Sequence, residues 1–197
     1  MSVKKNDRDW SNTQPFALGI SGKIGSGKTT LVTNLLKEYR FSVASYGAFF
    51  RNLAASRNLP YSRETFQSLT NEYLGQLNHD GLALEVLKLS DWDGRQSLLI
   101  DGIRHIESIS AIWPLVRPLP FFLVFLEVPE ETRLLRISKR DGLPLNAVKL
   151  HDLHESEQSV ENEIRSIADV IIAENERDAA IEKLFDFVRG KLMGGEI

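Results

Sequence analysis

The sequence predicts an α/β domain: a five-stranded, mainly parallel sheet covered by helices on both faces, three layers in all. Three observations predict it. Five short apolar runs, at residues 16–21, 41–45, 97–101, 121–128 and 168–173, punctuate the chain, and several are apolar at successive positions, as strands buried on both faces require. Segments with helical spacing of apolar residues fall between them, the arrangement that lets parallel strands be joined by crossovers. At 197 residues the chain is long enough for one such domain and its single core.

Residues 1–15 are polar and without periodicity, which reads as a flexible tail, with Trp10 packing back onto the domain as the alternative. The domain is then 16–197. Its first strand ends in Gly19-Ile20-Ser21, and the helix over 29–39 places Leu31, Val32, Leu35 and Leu36 on one face. After the second strand, residues 67–89 read as one or two helices broken near His79-Asp80-Gly81. The strand over 97–101 closes on Asp101. A helix over 106–116 is stopped by Pro118, and residues 121–128 form the most apolar strand. A helix over 130–140 is broken by Gly142-Leu143-Pro144, residues 151–167 read as a polar helix, and a last strand and helix occupy 168–173 and 177–192. No internal repeat is visible. In such a fold the sites line the carboxyl ends of the strands.

Composition narrows the classes of function. Hydrophobic residues make up 42% and charged residues 26%, which excludes a wholly disordered chain. A net charge of -3 provides no general positive field for a nucleic acid backbone, so no nucleic acid partner is expected and anion binding must be local. There is no cysteine, which rules out disulfides and thiolate metal sites and suits a reducing, cytoplasmic location. The apolar run near 119–128 falls far short of the roughly 20 residues a membrane helix needs, so no membrane span is expected. The sequence specifies no oligomeric state.

The sharpest signal is Gly22-Lys23-Ile24-Gly25-Ser26-Gly27-Lys28-Thr29, which fits G-x-x-x-x-G-K-[ST] after a strand and at the opening of a helix. Glycines let the backbone wrap a phosphate with its N–H groups inward, and the helix N-terminus adds a favourable dipole. On that chemistry the stretch from Gly22 through Thr29 to Thr30 holds the phosphates of ATP or a close relative. Lys28 reaches the β and γ phosphates, and Thr29 ligates Mg2+. Asp101, at a strand end, is the second expected metal-holding residue, with a helix or turn cap as its bland alternative.

At these residues the chain resembles the P-loop small-molecule kinases of the adenylate and cytidylate kinase type. Tyr46 through Ala54, with Tyr46 and Arg51, looks like their monophosphate-binding segment. Asp101-Gly102-Ile103-Arg104 resembles their strand-end Asp-Gly-x-x-Arg stretch, and Leu134 through Arg140 is similar to the arginine-bearing helix leading into their mobile lid. The resemblance implies the three-layer P-loop fold, a helical acceptor-binding insertion at about 46–90 and a lid at about 140–156. It implies that Arg51 and Arg104 grip a small-molecule acceptor phosphate while Arg136 and Arg140 close over the transferred group. The stretch His151 to Glu157 departs from that pattern in being acidic, followed only by Arg165, which also resembles deoxynucleotide, phosphomevalonate and dephospho-coenzyme A kinases.

Chemistry separates the acceptors. A hydroxyl acceptor needs a carboxylate to take its proton, whereas a phosphate acceptor needs cations. Between Arg40 and Arg63 there are four arginines, Arg40, Arg51, Arg57 and Arg63, and no acidic residue; Ser45-Tyr46 stands where dephospho-coenzyme A kinases carry an aspartate. The expected reaction is therefore ATP-dependent phosphoryl transfer to a nucleoside or deoxynucleoside monophosphate. A dephospho-coenzyme A or other small-molecule kinase, and a nucleotide-binding or ATPase module without an acceptor, are the alternatives. Phe49 and Phe50 suit either base stacking or the core; His105 stands next to the acceptor arginine; His151 and His154 have metal-ligand spacing that a solvated helix explains equally well.

Overall fold

Alternation of side chains along the strands decides how the layers form, because every strand must bury two faces. In the computed structural model, which describes residues 13–152, 160–173 and 177–194, strand β1 (Ala17–Ser21) is wholly buried. Leu18 and Ile20 point to one apolar layer and Ala17 to the other. Strand β4 (Phe121–Leu126) does the same, with Phe122, Val124 and Leu126 on the first side and Leu123 and Phe125 on the second. Each such side chain taken fully out of water stabilises the fold by roughly 1.5–3 kcal/mol.

Strands β2 (Ser42–Ser45), β3 (Leu98–Asp101) and β5 (Val170–Ile172) complete the sheet in the order β2-β3-β1-β4-β5, with every pairing parallel. Helices α1 (Lys28–Glu38) and α8 (Arg177–Met193) cover one face through Leu31, Leu35, Ile181, Leu184 and Val188. Helices α2 (Tyr46–Ser56), α3 (Arg63–Lys88) and α4 (Ile106–Leu115) cover the other, joined by a π-helical turn at Val160–Ile164 that runs into α7 (Arg165–Ile167). Gly19 is where the sheet has no room for a side chain: a Cβ there would lie 2.8 Å from the Phe121 ring and 2.9 Å from Ile103 Cδ1.

The expected five parallel strands and both helical coats are present. Three details refine the sequence reading. Residues 46–56 form a regular helix, because the Ser45 hydroxyl accepts from Ala48 N at 3.2 Å and caps a segment with Phe49, Phe50 and Ala54 on its inner face. Helix α3 starts at Arg63, capped by Ser62, and breaks at Asn78 (φ 55, ψ -171), whose side-chain oxygen accepts from Asp80 N and Gly81 N to restart it. A further helix, α6 (Leu145–Asp152), follows the Gly142 break after α5 (Glu130–Asp141), and Val148 packs with Leu134 and Ile137 of α5. The distal part of the expected lid, with His154, and the expected tail up to residue 12, with Trp10, lie outside the described residues. Among the described residues no helix is long and apolar enough to cross a membrane.

Candidate active site

Strand β1 delivers its chain directly into the glycine-rich loop, at the point where the sheet order reverses between β3 and β4. Gly22 takes φ +142 and Gly25 φ +80, and a Cβ at either would meet a backbone carbonyl, Leu126 O at 2.6 Å or Arg133 O at 2.8 Å. These two positions need glycine both for their torsions and for the closeness of the chain around them. Gly27 precedes α1 in a left-handed conformation. Lys28 folds back over the loop, donating to the Gly22 carbonyl, to Lys23 O at 2.9 Å and to Ser26 Oγ at 3.5 Å. An ammonium held inside a ring of loop groups marks the concave side where a phosphate would be neutralised. Thr29 and Thr30 lie exposed on the first turn of α1.

The opposite wall is assembled from distant segments. β2 pairs with β3 so that Ser45 stands beside Asp101, and the Ser45 hydroxyl donates to Asp101 Oδ2 at 3.4 Å. Burial raises the Asp101 carboxyl above the usual carboxylate range, opposed by the Lys28 ammonium, the Ser45 hydrogen bond and the Arg104 and Arg51 guanidinium groups. Three cations from three segments, Lys28, Arg104 and Arg51, thus act on one carboxylate. Gly102 (φ +88) turns the chain so closely past α2 that its missing Cβ would lie 3.6 Å from Gly47 N and from Tyr46 Cβ. Ser21 Oγ, fully buried, donates to Ile103 O at 2.7 Å and ties the end of β1 to this turn.

Tyr46 is buried, its phenol pushed up to about 12 by desolvation; the hydroxyl lies near Ser108, but no partner meets it in hydrogen-bond geometry. Ser108 instead shares a 3.0 Å hydrogen bond with His79 Nδ1, and the His79 and His105 rings meet edge to face at 5.4 Å. Burial, then His79, holds the His105 imidazole below its ordinary value. Phe49 and Phe50 are buried and packed on each other and on Tyr73, so they belong to the core.

The expected site residues divide cleanly. The loop from Gly22 to Thr30, Asp101, Arg51, Arg104 and Tyr46 gather at the carboxyl ends of β1, β2 and β3. Arg136 reaches the loop from α5, its Nη1 3.4 Å from Gly25 O. Arg140 does not: it forms two hydrogen bonds to the neighbouring Asp141, at 2.7 and 2.8 Å. Arg57 is occupied by Glu72 at 2.8 and 3.0 Å, so its charge is spent within the insertion. One residue escaped the sequence reading: Arg133, 3% exposed, donates from Nη1 to Ile24 O at 3.0 Å across 109 positions. Its spacing with Leu134 and Ile137 on the buried stripe of α5 is the signal that could have found it. The Thr29 hydroxyl and the Asp101 carboxyl are oxygen groups of the kind that suits a hard divalent cation. Among the described residues no three His, Cys, Asp or Glu side chains gather to hold a metal.

Residues 21–147 match the AAA domain family. The chain is 33% identical over 142 residues to the cytidylate kinase of Thermoplasma volcanium, covering 69% of this chain and 66% of that protein. It is 28% identical over 141 residues to the cytidylate kinase of Pyrobaculum calidifontis, covering 72% and 68% respectively. The chain thus spans about two thirds of the length of the curated relatives it matches. In fold it is similar to a shikimate kinase from Aquifex aeolicus (TM-score 0.58, 18% identity, 91% of this chain and 100% of that one). It is similar also to a dephospho-CoA kinase from Campylobacter jejuni (TM-score 0.51, 18% identity, 89% and 98%).

Proposed function

We propose that this chain, which belongs to the AAA domain family, transfers the γ-phosphoryl group of ATP to the phosphate of a nucleoside or deoxynucleoside monophosphate. The observation that carries the reading is that the strand pairing sets Asp101 beside Ser45 at the end of β3, next to the strand that feeds the glycine-rich loop, with the charges of Lys28, Arg104 and Arg51 acting on its carboxyl. A phosphate acceptor brings its own nucleophilic oxygen as an anion, so the site has to supply positive charge and alignment rather than a base. Arg51 and Arg104 hold the acceptor phosphate. Lys28 leaves its loop carbonyls for the β and γ phosphates, and Arg136 adds charge from α5. Bound magnesium, held by Thr29 and through water by Asp101, would neutralise the charge developing at the β–γ bridge. The relatives named cytidylate kinase support this acceptor class. On this reading the protein acts in the cytoplasm, a reducing compartment that suits a sequence without cysteine.

A second reading rests on Asp101 itself. A carboxyl held above its ordinary range by burial is better matched to taking a proton than an exposed one, which is what a hydroxyl acceptor such as dephospho-coenzyme A demands. The two are separated by one assay: ATP and magnesium with a panel of nucleoside monophosphates, deoxynucleoside monophosphates, dephospho-coenzyme A and phosphomevalonate, reading phosphate transfer to each. Transfer confined to a monophosphate supports the first reading. Transfer confined to dephospho-coenzyme A replaces it with the second, and steady ATP hydrolysis indifferent to every acceptor removes both.

A further inference from the structure

We propose that Arg133 is a positioning residue that aims the Gly25 amide into the phosphate cradle, from outside that cradle. The peptide joining Ile24 to Gly25 is planar and trans, so its C=O and N–H point in opposite directions. Arg133 Nη1 holds the Ile24 oxygen at 3.0 Å from the α5 side of the loop. The same planarity turns the Gly25 N–H the other way, away from Arg133, in the loop whose concave side Lys28 marks through Gly22 O, Lys23 O and Ser26 Oγ. Among the described residues that N–H meets no acceptor of its own, which is the condition of a donor kept for a ligand. The chain is fixed here by contact as well: Arg133 O sits 2.8 Å and Ile137 Cγ1 3.0 Å from where a Gly25 Cβ would be, and Ile24 packs against Leu134 and Ile137.

Burying a guanidinium is costly, and surface packing alone would be served by any apolar residue on this stripe. Arg133 is 3% exposed and lines a cleft together with Lys23, Glu127, Glu130 and Arg165. A charged donor polarises the peptide it binds, so the amide at the other end becomes a stronger donor to phosphate. Arg136, 3.4 Å from Gly25 O, extends the arrangement to the next peptide more weakly. Helix α5 therefore braces two consecutive peptides of the loop.

The inference rests on the reading of the loop as an ATP site, and its test keeps the two apart. Ile24–Gly25 is the single Ile–Gly step in the sequence. Carbonyl-labelled isoleucine with nitrogen-labelled glycine therefore yields one correlated amide signal. Arg133→Met should move that signal in the full-length protein and raise the KM for ATP about tenfold. The acceptor KM should change less than twofold, and Arg133→Lys, which keeps a charged donor, should recover part of the loss. A Met variant whose Gly25 signal and ATP KM match the parent, whatever happens to its melting temperature, overturns the inference. No magnesium-dependent ATP uptake by the unsubstituted protein overturns the kinase reading instead, while the Gly25 signal still reports whether Arg133 sets the peptide.

Discussion

The two walls of the cleft are made in opposite ways. The donor wall is a run of eight successive residues, Gly22 to Thr29, whose shape follows from glycine torsions and the start of a helix. The wall proposed for the acceptor has no such continuity: Ser45 and Arg51 come from β2 and α2, Asp101 and Arg104 from β3 and the turn after it, with Ser45 and Asp101 brought together by strand pairing more than fifty residues apart. A locally encoded grip should fail when one residue is lost. A grip assembled from several segments should fail selectively, toward one substrate and not the other.

The largest test of that contrast is Lys28→Ala, expected to lower kcat by at least about 100-fold, the scale of removing a preorganised donor to developing charge. Turnover measured with saturating ATP and acceptor, beside a circular dichroism spectrum matching the parent, checks it. Arg104→Ala should lower kcat/KM for the acceptor about 30-fold, in the range of a lost charged hydrogen bond, while ATP affinity by calorimetry stays within about twofold. An equal loss on the ATP side would erase the distinction between the walls.

Asp101→Asn sharpens it through pH. Burial holds the folded-state carboxyl above its ordinary range, so as pH falls through that raised value the carboxylate is lost and metal-dependent turnover declines, starting at higher pH than an ordinary aspartate would impose. The stability effect has the opposite sign: the folded state binds this proton more tightly than the unfolded chain, so protonation favours the fold as pH falls and the gain is lost as pH rises. A kcat/KM profile should show this acid limb in the parent and lack it in the Asn variant. The smallest effect belongs to Arg57→Ala. Its guanidinium is engaged by Glu72, so the acceptor KM should move less than about twofold, and a larger change would extend the acceptor wall to the tip of α2.

What could be read in advance follows the same division. The glycine loop, the five strands and Asp101 at a strand end were legible because each depends on local spacing and apolar runs. Helix α2 is expected only through the resemblance, as part of a helical insertion, and its bounds are not legible, since its start is set by one serine hydroxyl. Counting arginines from Arg40 to Arg63 gave a cationic segment but could not show that Arg57 is met by Glu72, which lies beyond the window counted. Phe49 and Phe50 offered stacking or core, and only the contact with Tyr73 on α3 decides between them. Arg133 stayed hidden because its partner is a carbonyl 109 positions away, and a main-chain acceptor leaves no mark in the sequence.

The hydrogen bond from Ser21 to Ile103 has a consequence for how the enzyme would measure its substrates. It ties the root of the glycine-rich loop to the turn bearing Arg104, so on the proposed roles the gap between donor and acceptor grips would be a gauge built into the frame. Whatever shuts over the cleft has only to seal it. Exchanging α2 and the outer half of α3 for those of another kinase should therefore change which molecule is accepted while the jump length of the phosphoryl group stays the same.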